Sequence, residues 1–133
     1  MRAQPLIGVK DVRASSAWYQ RVLGCPSDME AGHAHREEFD RLVGEDGKVI
    51  LMLHSWGAET DGPMDRMLVE PNRGPHGFGV FLSFATDDFD GAVDRARSLG
   101  AEFVSDIYTN PDRTRNVILR DADGYSVVLS STV

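Results

Sequence analysis

The chain has 133 residues, a length at which one domain buries about two-thirds of the surface that its unfolded chain exposes. Its formal net charge of −7, without a Lys/Arg-rich stretch, excludes nucleic acid as an expected partner and favours a neutral or cationic small molecule. No segment resembles a membrane span or a secretion signal, and the single cysteine, Cys25, excludes an internal disulfide framework; we expect a cytoplasmic protein without a membrane partner.

The first half of the chain predicts one strand, one helix and three further strands. Residues 5–10 are too few for a helix and rich in branched apolar side chains, which is typical of a strand. Asp11 can cap a helix over residues 13–23, and Gly24 supplies the left-handed residue that ends it. The side chains expected on the buried stripe of this helix are Ala14, Ala17, Trp18 and Val22, with Tyr19 as a further candidate. Further strands are predicted at residues 25–30, 36–43 and 48–54.

The second half predicts the same order of elements after a long connection. Residues 55–76 contain three Gly and three Pro and no sustained period, so we predict a linker at about 56–76. A strand is predicted at 77–85, and then a helix that Asp87 or Asp88 caps and Gly100 ends. The remaining strands are predicted at residues 102–107, 114–120 and 125–130.

The two halves echo each other. Asp11 and Gly24 return as Asp87 and Gly100 at an offset of 76 residues, and the Asp46-Gly47 turn returns one residue later, at an offset of 77. Each half is predicted as βαβββ. We therefore predict a single α+β domain over residues 1–133, built from two tandem βαβββ modules (about 1–55 and 77–133) whose curved mixed sheets surround a cavity.

Several segments carry a family resemblance in their order and spacing. They are Val9–Val12, Ser16–Tyr19, Val22–Gly24, Asp87–Asp90, Leu99–Phe103 and Asp121–Tyr125. Together they resemble the vicinal oxygen chelate superfamily, which includes glyoxalase I, extradiol dioxygenases and bleomycin resistance proteins. The resemblance implies paired βαβββ modules, a homodimer and, in the enzymes, a divalent metal that His, Gln or Glu side chains hold from four strand positions.

The four metal positions that the resemblance implies are almost entirely apolar here. The first, seven residues before Asp11, holds Gln4. The second follows from the glyoxalase I pattern Glu-Leu-Thr-His-Asn-Trp-Gly, which aligns on residues 51–57 and places Leu51 where the family has Glu. The third is Phe81 or Val80, and the fourth is Val128. The repeat carries Leu51 onto Val128 and Gln4 onto Val80, so the apolar replacements occupy equivalent places in the two modules.

This lining predicts a ligand cavity without a metal. A dication among such side chains would lose its hydration without compensation, at an idealised cost on the order of tens of kcal/mol. We therefore expect no cofactor. The residues predicted to line the ligand-binding cavity are Gln4, Leu51, Leu53, Trp56, Phe81, Arg115 and Val128.

A relocated metal site is the alternative. In an extended segment His33, His35 and Glu37 would share one face, and two His with a carboxylate form a zinc-like set. With Gln4 and His54 these residues are the candidate ligands of a divalent metal, but we favour a solvated loop or strand edge as the explanation of the segment.

Two histidines are candidate general bases. His54 ends an apolar strand and His76 ends the linker, where an imidazole can act near neutral pH. A partly exposed imidazole at a strand end explains either residue without catalysis.

The leading hypothesis is a metal-independent protein of the glyoxalase/bleomycin resistance type that sequesters or senses an amphipathic compound in an apolar cavity. The alternative is a glyoxalase-like lyase, isomerase or dioxygenase with a relocated divalent metal. A third hypothesis is a metal-free enzyme that uses His54 or His76 as its base.

Overall fold

The structure, a computed structural model, describes residues 1–29, 37–57, 63, 67–70 and 76–132. In that part of the chain it is a mixed α+β protein with eight strands and two helices, which confirms the predicted fold class. The chain divides into two compact units. Unit 1 contains Met1–Gln20 and Gly24–Asn72, and unit 2 contains Arg21–Leu23 and Arg73–Val133.

Unit 1 holds a three-stranded mixed sheet. Its strands are β1 (Leu6–Val9), β2 (Phe39–Val43) and β3 (Val49–Ser55), in the order β1-β3-β2, and helix α1 (Val12–Leu23) follows β1. β1 is parallel to β3, whereas β2 is antiparallel to it. Of the strand predicted at 25–30, the described residues contain only an isolated bridge between Ser27 and Leu42.

Unit 2 holds a larger mixed sheet with the order β4-β8-β7-β5, and β6 pairs with β7 beyond this path. Its strands are β4 (Phe81–Thr86), β5 (Glu102–Phe103), β6 (Tyr108–Thr109), β7 (Arg115–Arg120) and β8 (Ser126–Ser131), with helix α2 at Phe89–Leu99. The strand predicted at 102–107 is therefore shorter than expected, and β6 is an additional strand. No helix among the described residues is long and apolar enough to cross a membrane.

Both helices begin and end at the residue types that the sequence indicates. The Asp11 carboxylate accepts a hydrogen bond from the backbone N–H of Ala14 at 3.0 Å, and Asp88 accepts one from Gly91 at 3.2 Å. Gly24 and Gly100 end the helices with φ of 66° and 73°. Asp88, and not Asp87, is therefore the structural equivalent of Asp11.

The two sheets differ by one inserted residue. In unit 1 Leu42 pairs with Leu51 but Val43 pairs with Val49, so Ile50 is the extra residue of a β-bulge. In unit 2 the pairing between β7 and β8 runs without interruption. Equivalent residues of the two repeats are 77 positions apart at the turn before β3 and β8. Because Ile50 has no counterpart in β8, residues after the bulge are only 76 positions from their equivalents.

The core of unit 1 encloses a carboxylate. Asp40 is 1% exposed and accepts hydrogen bonds from the hydroxyl groups of Ser16, at 2.6 Å, and Ser27. The buried side of α1 carries two serines, Ser15 and Ser16, where alanines were expected, and the hydrogen bond to Asp40 explains the burial of Ser16. The buried side of α1 comprises Val12, Ser15, Ser16, Tyr19 and Val22, whereas Ala14 and Ala17 are exposed and Trp18 is partly exposed.

The core of unit 2 follows the predicted pattern more closely. Phe89, Ala92, Val93 and Ala96 of α2 are buried, as their spacing predicts, and Leu99 is partly exposed. The alternating apolar residues of β7 and β8 that are buried are Val117, Leu119, Val127 and Leu129.

Candidate functional site

One face of the unit 2 sheet is buried and the other is open within the unit. Side chains alternate along each strand, and paired residues of neighbouring strands share a face. We call the open surface the Phe81 face. Its residues are Phe81, Ser83 and Ala85 of β4, Tyr108 of β6, Asn116, Ile118 and Arg120 of β7, and Ser126, Val128 and Ser130 of β8.

The Phe81 face has an apolar centre. Ile118 and Val128 lie directly opposite each other on β7 and β8, and both are partly exposed. The Phe81 ring, on the edge strand β4, is 64% exposed. Exposed aromatic and branched side chains that share one sheet face are typical of a surface that another molecule covers.

Polar groups border this apolar centre on β7. Asn116 pairs with Tyr108 on one side and Ser130 on the other, and among the described residues its buried Oδ1 atom has no hydrogen-bond partner. At the other end of the strand, Arg120 lies opposite Ser126 and donates a long hydrogen bond of 3.4 Å to the carbonyl oxygen of Gly124. Glu102 of β5 lies opposite Arg120 and is exposed, so the face combines an apolar surface with a cation, an amide and a carboxylate.

Unit 1 presents a corresponding open surface on its own sheet, which we call the His54 face. It comprises Leu6 and Gly8 of β1, Phe39 and Arg41 of β2, and Met52 and His54 of β3, with Trp56 beyond the end of β3. Trp56 lies on this face because its indole ring occupies the space where Gly8 would carry a Cβ. Only glycine permits that close approach.

The His54 imidazole is oriented by the chain itself. Its Nδ1 lies 2.8 Å from the carbonyl oxygen of Ser55, which can only accept, so Nδ1 carries the proton. In the neutral ring Nε2 is then the basic nitrogen. The ring also contacts Phe39 edge to face, with 6.2 Å between centroids. The orientation is suitable for a base or a ligand, which keeps both predictions for His54 open.

Leu51 and Leu53 do not lie on this open face. Both are 0% exposed and belong to the core of unit 1, because they alternate with Met52 and His54 along β3. Leu51 and Leu53 therefore do not line the open face as predicted. Met52 lies there instead, because the bulge brings it into the place equivalent to Val128. The sequence missed Met52 because the extra residue, Ile50, is visible only in the pairing.

Arg115 also lies on the side of its sheet opposite to the predicted one. Its guanidinium forms two hydrogen bonds to the Asp90 carboxylate, at 3.0 and 3.3 Å, and its Cζ lies 4.7 Å from the centroid of the Phe89 ring. These partners belong to α2, so Arg115 fastens the helix to β7 and does not line the Phe81 face. Hydrogen bonding to Arg115, followed by the attraction of its charge, lowers the pKa of Asp90 below its ordinary value.

The other predicted site residues are spread over both units. Phe81 and Val128 lie on the Phe81 face, and Phe81, seven residues before the N-cap Asp88, is the counterpart of Gln4. Gln4 precedes β1 and is exposed. His76 precedes β4 and lies against Tyr125, with ring centroids 6.2 Å apart.

The predicted relocated metal site falls partly outside the described residues. His33 and His35 lie there, and Glu37, which is described, forms an exposed ion pair with Arg13 at 3.5 Å. Within the described ranges no group of three His, Cys, Asp or Glu side chains is arranged to hold a metal ion. The family's four metal positions do not fit a dication either, since Gln4, Met52, Phe81 and Val128 offer one neutral amide and a thioether.

Comparisons with known proteins give a consistent family and fold. A sequence model described as the Glyoxalase/Bleomycin resistance protein/Dioxygenase superfamily matches residues 3–129. The structure of TioX from Micromonospora sp. ML1 is 17% identical with a TM-score of 0.72, and the match covers 100% of this chain and 99% of TioX.

Two further solved structures have the same fold. Lactoylglutathione lyase from Agrobacterium tumefaciens is 18% identical with a TM-score of 0.69, covering 99% of this chain and 93% of that one. A glyoxalase/bleomycin resistance protein/dioxygenase family enzyme from Burkholderia phytofirmans PsJN is 17% identical with a TM-score of 0.71, covering 98% and 97%. At such identities the structural matches establish the fold, and the chemistry depends on the residues of this chain.

Proposed function

Because this chain belongs to the Glyoxalase/Bleomycin resistance protein/Dioxygenase superfamily, we propose that it binds an amphipathic small molecule on the Phe81 face without a metal ion. The observation that carries the proposal is the exposure of apolar side chains where metal-using relatives have ligands. Phe81 and Val128 occupy two such positions on the Phe81 face. Sequestration or sensing of the bound compound would be its role.

The free energy of binding would come from apolar surface. Covering a side chain such as Phe81 gains about 1.5–3 kcal/mol, and Ile118 and Val128 extend the same surface. Tyr108 and Arg120 supply polar ends at the border of this surface. A planar or chain-like compound with one polar end matches this distribution better than a small hydrophilic metabolite does.

Metal catalysis of the family type has weak support in this donor set. A divalent metal would act as a Lewis acid on two neighbouring substrate oxygens. Phe81 and Val128 cannot coordinate it, and the exposed Gln4 amide is a weak ligand. The second candidate, a lyase, isomerase or dioxygenase with a relocated metal, is favoured by one observation: the bond from His54 Nδ1 to Ser55 O leaves Nε2 as the basic nitrogen.

Two further properties stay predictions. The family resemblance implies a homodimer, and the composition favours residence in the cytoplasm. Sedimentation velocity at several protein concentrations tests the first. Cell fractionation of a strain that expresses the native chain tests the second.

Two measurements test the proposed function. Protein purified without a histidine tag is analysed for metals and then examined by thermal shift with Ni²⁺, Zn²⁺, Mn²⁺ and Fe²⁺. The proposal predicts substoichiometric metal and no increase in melting temperature. The chelator-treated protein is next mixed with N-phenyl-1-naphthylamine, a neutral fluorescent aromatic probe. We expect saturable binding that weakens in Phe81→Ser, with the probe recovered unchanged. Stoichiometric metal that is lost in Gln4→Ala or His54→Ala would overturn the proposal.

A further inference from the structure

The arginines on the strands of the two sheets differ in whether a carboxylate pairs with their guanidinium group. Arg41 forms an ion pair with Asp28 at 2.8 Å, and Arg115 forms one with Asp90 at 3.0 Å. Arg120 is also partly buried, yet it forms no ion pair in the part of the chain that the structure describes. Its hydrogen bond goes to the carbonyl oxygen of Gly124 at 3.4 Å, beyond the usual range of a strong N–H···O bond.

Arg120 lies beside the apolar part of the Phe81 face. Ser126 is directly opposite Arg120, and Phe81 is directly opposite Ser126 on the next strand. Two strand spacings therefore separate the Arg120 and Phe81 backbones, or about 10 Å. Ile118 and Val128 form the neighbouring row. One molecule of the size of a two-ring aromatic compound can thus cover the apolar row and reach the guanidinium.

The charge of Arg120 decides which compounds gain from covering this face. A neutral or cationic ligand would remove water from the guanidinium and offer nothing in return. An acidic group would replace that water with charge-assisted hydrogen bonds, and the planar fork of arginine favours a two-oxygen contact with a carboxylate or sulfonate. The local charge thus favours an anion, although the net charge of −7 favours neutral or cationic compounds.

Building on the proposed function, we propose that the Phe81 face selects an amphipathic anion. The aromatic or aliphatic body lies on Phe81, Ile118 and Val128, and the acidic group binds Arg120. Glu102 lies opposite Arg120 on β5 and is exposed. The negative charge of Glu102 repels an acidic group that binds at Arg120.

A matched pair of probes separates the charge from the apolar body. 8-Anilinonaphthalene-1-sulfonate carries the ring system of N-phenyl-1-naphthylamine plus one sulfonate. Both are titrated by fluorescence into the wild-type full chain, Arg120→Gln, Phe81→Ser and Arg113→Gln. Arg113 is a matched control, because it is an exposed arginine in the turn before β7. Thermal denaturation of each variant verifies that it is folded.

Removing the guanidinium should act on the anionic probe alone. We expect Arg120→Gln to weaken sulfonate binding about tenfold and to change binding of the neutral probe less than twofold. Phe81→Ser should weaken both probes, and Arg113→Gln neither. Glu102→Gln should strengthen sulfonate binding. Added NaCl should weaken the sulfonate complex of the wild type and leave that of Arg120→Gln nearly unchanged.

The outcomes separate the two proposals. Equal effects of Arg120→Gln on both probes, or sulfonate binding that this variant leaves unchanged, would overturn the anion selectivity while the binding function stands. Failure of both probes to bind would overturn the binding function and the selectivity together. If Arg120→Gln does not fold, Arg120→Lys keeps the charge without the planar fork, and selectivity requires it to weaken sulfonate binding alone.

Discussion

The indole ring of Trp56 lies directly on the backbone of Gly8, in the space that a Cβ at this position would occupy. Gly8 belongs to β1 and pairs with His54 of β3, so the contact fixes Trp56 on the His54 face. The absence of one side chain thus sets the position of one of the two tryptophans of unit 1.

Gly8→Ala should displace that ring. The added methyl group overlaps the indole, and relief of the overlap should cost about 1–3 kcal/mol of the free energy of unfolding. Urea denaturation followed by circular dichroism measures the loss in every variant, and in a Trp18→Phe background the tryptophan fluorescence reports the displacement of the Trp56 ring. The matched control is Gly8→Ala in Trp56→Ala, where the same substitution should be nearly neutral. An equal loss in both backgrounds would show that the indole contact is not the cause.

The buried carboxylate of Asp40 should be a stability determinant of unit 1. Asp40→Ala leaves the hydroxyl groups of Ser16 and Ser27 without their acceptor and should lower the free energy of unfolding by about 3 kcal/mol. Asp40→Asn keeps the shape and one acceptor oxygen, so a smaller loss is expected. Chemical denaturation compares the two variants, and an Asp40→Ala variant as stable as the wild type would refute this role.

The ion pair of Asp90 and Arg115 predicts a pH effect of known sign. The folded-state pKa of Asp90 is lowered, chiefly by hydrogen bonding to Arg115, so the carboxylate stabilises the fold above its unfolded-state pKa. That contribution is lost as the pH falls through the folded-state pKa. Asp90→Asn should therefore lower the melting temperature at pH 6, and the difference from the wild type should shrink as the pH falls through the folded-state pKa of Asp90. A difference that persists unchanged at acidic pH would contradict the assignment.

In the turn before β7, replacing Arg113 by glycine should raise the free energy of unfolding. Arg113 has φ of 72°, a left-handed conformation that costs a residue with a Cβ about 1–2 kcal/mol. Because glycine also raises the entropy of the unfolded chain, the net gain of Arg113→Gly should be about 0.5 kcal/mol. Arg113→Val, which is worse suited to this conformation, should destabilise the protein. Equal unfolding midpoints for the two variants would exclude backbone strain at this position.

The helix ends and turns could be predicted from the sequence, because they depend on residues that are neighbours along the chain. Asp11 and Gly24 mark the ends of α1 because a cap acts within one turn of the helix. The choice between Asp87 and Asp88 as the second cap needed the structure, since α2 is one residue shorter than α1. The predicted fold class was confirmed because the repeat and its turns follow from such local patterns.

The candidate site depended on facts that local patterns do not contain. One extra residue, Ile50, moves Leu51 into the core and Met52 onto the open face, and only the pairing of β2 with β3 reveals it. Arg115 was expected to line the cavity but packs on the other side of its sheet, because its partner is Asp90 on α2. The burial of Ser16 depends on Asp40, which is 24 residues away in the sequence.

The proposed function requires that apolar side chains on the Phe81 face bind a small molecule without metal. The most direct test follows backbone amide signals by ¹⁵N NMR while N-phenyl-1-naphthylamine is added to chelator-treated protein. We expect saturable shifts concentrated at Phe81, Ile118 and Val128 that added Ni²⁺ or Zn²⁺ does not alter. Shifts confined to other parts of the chain, or shifts that occur only after a divalent metal is restored, would contradict it.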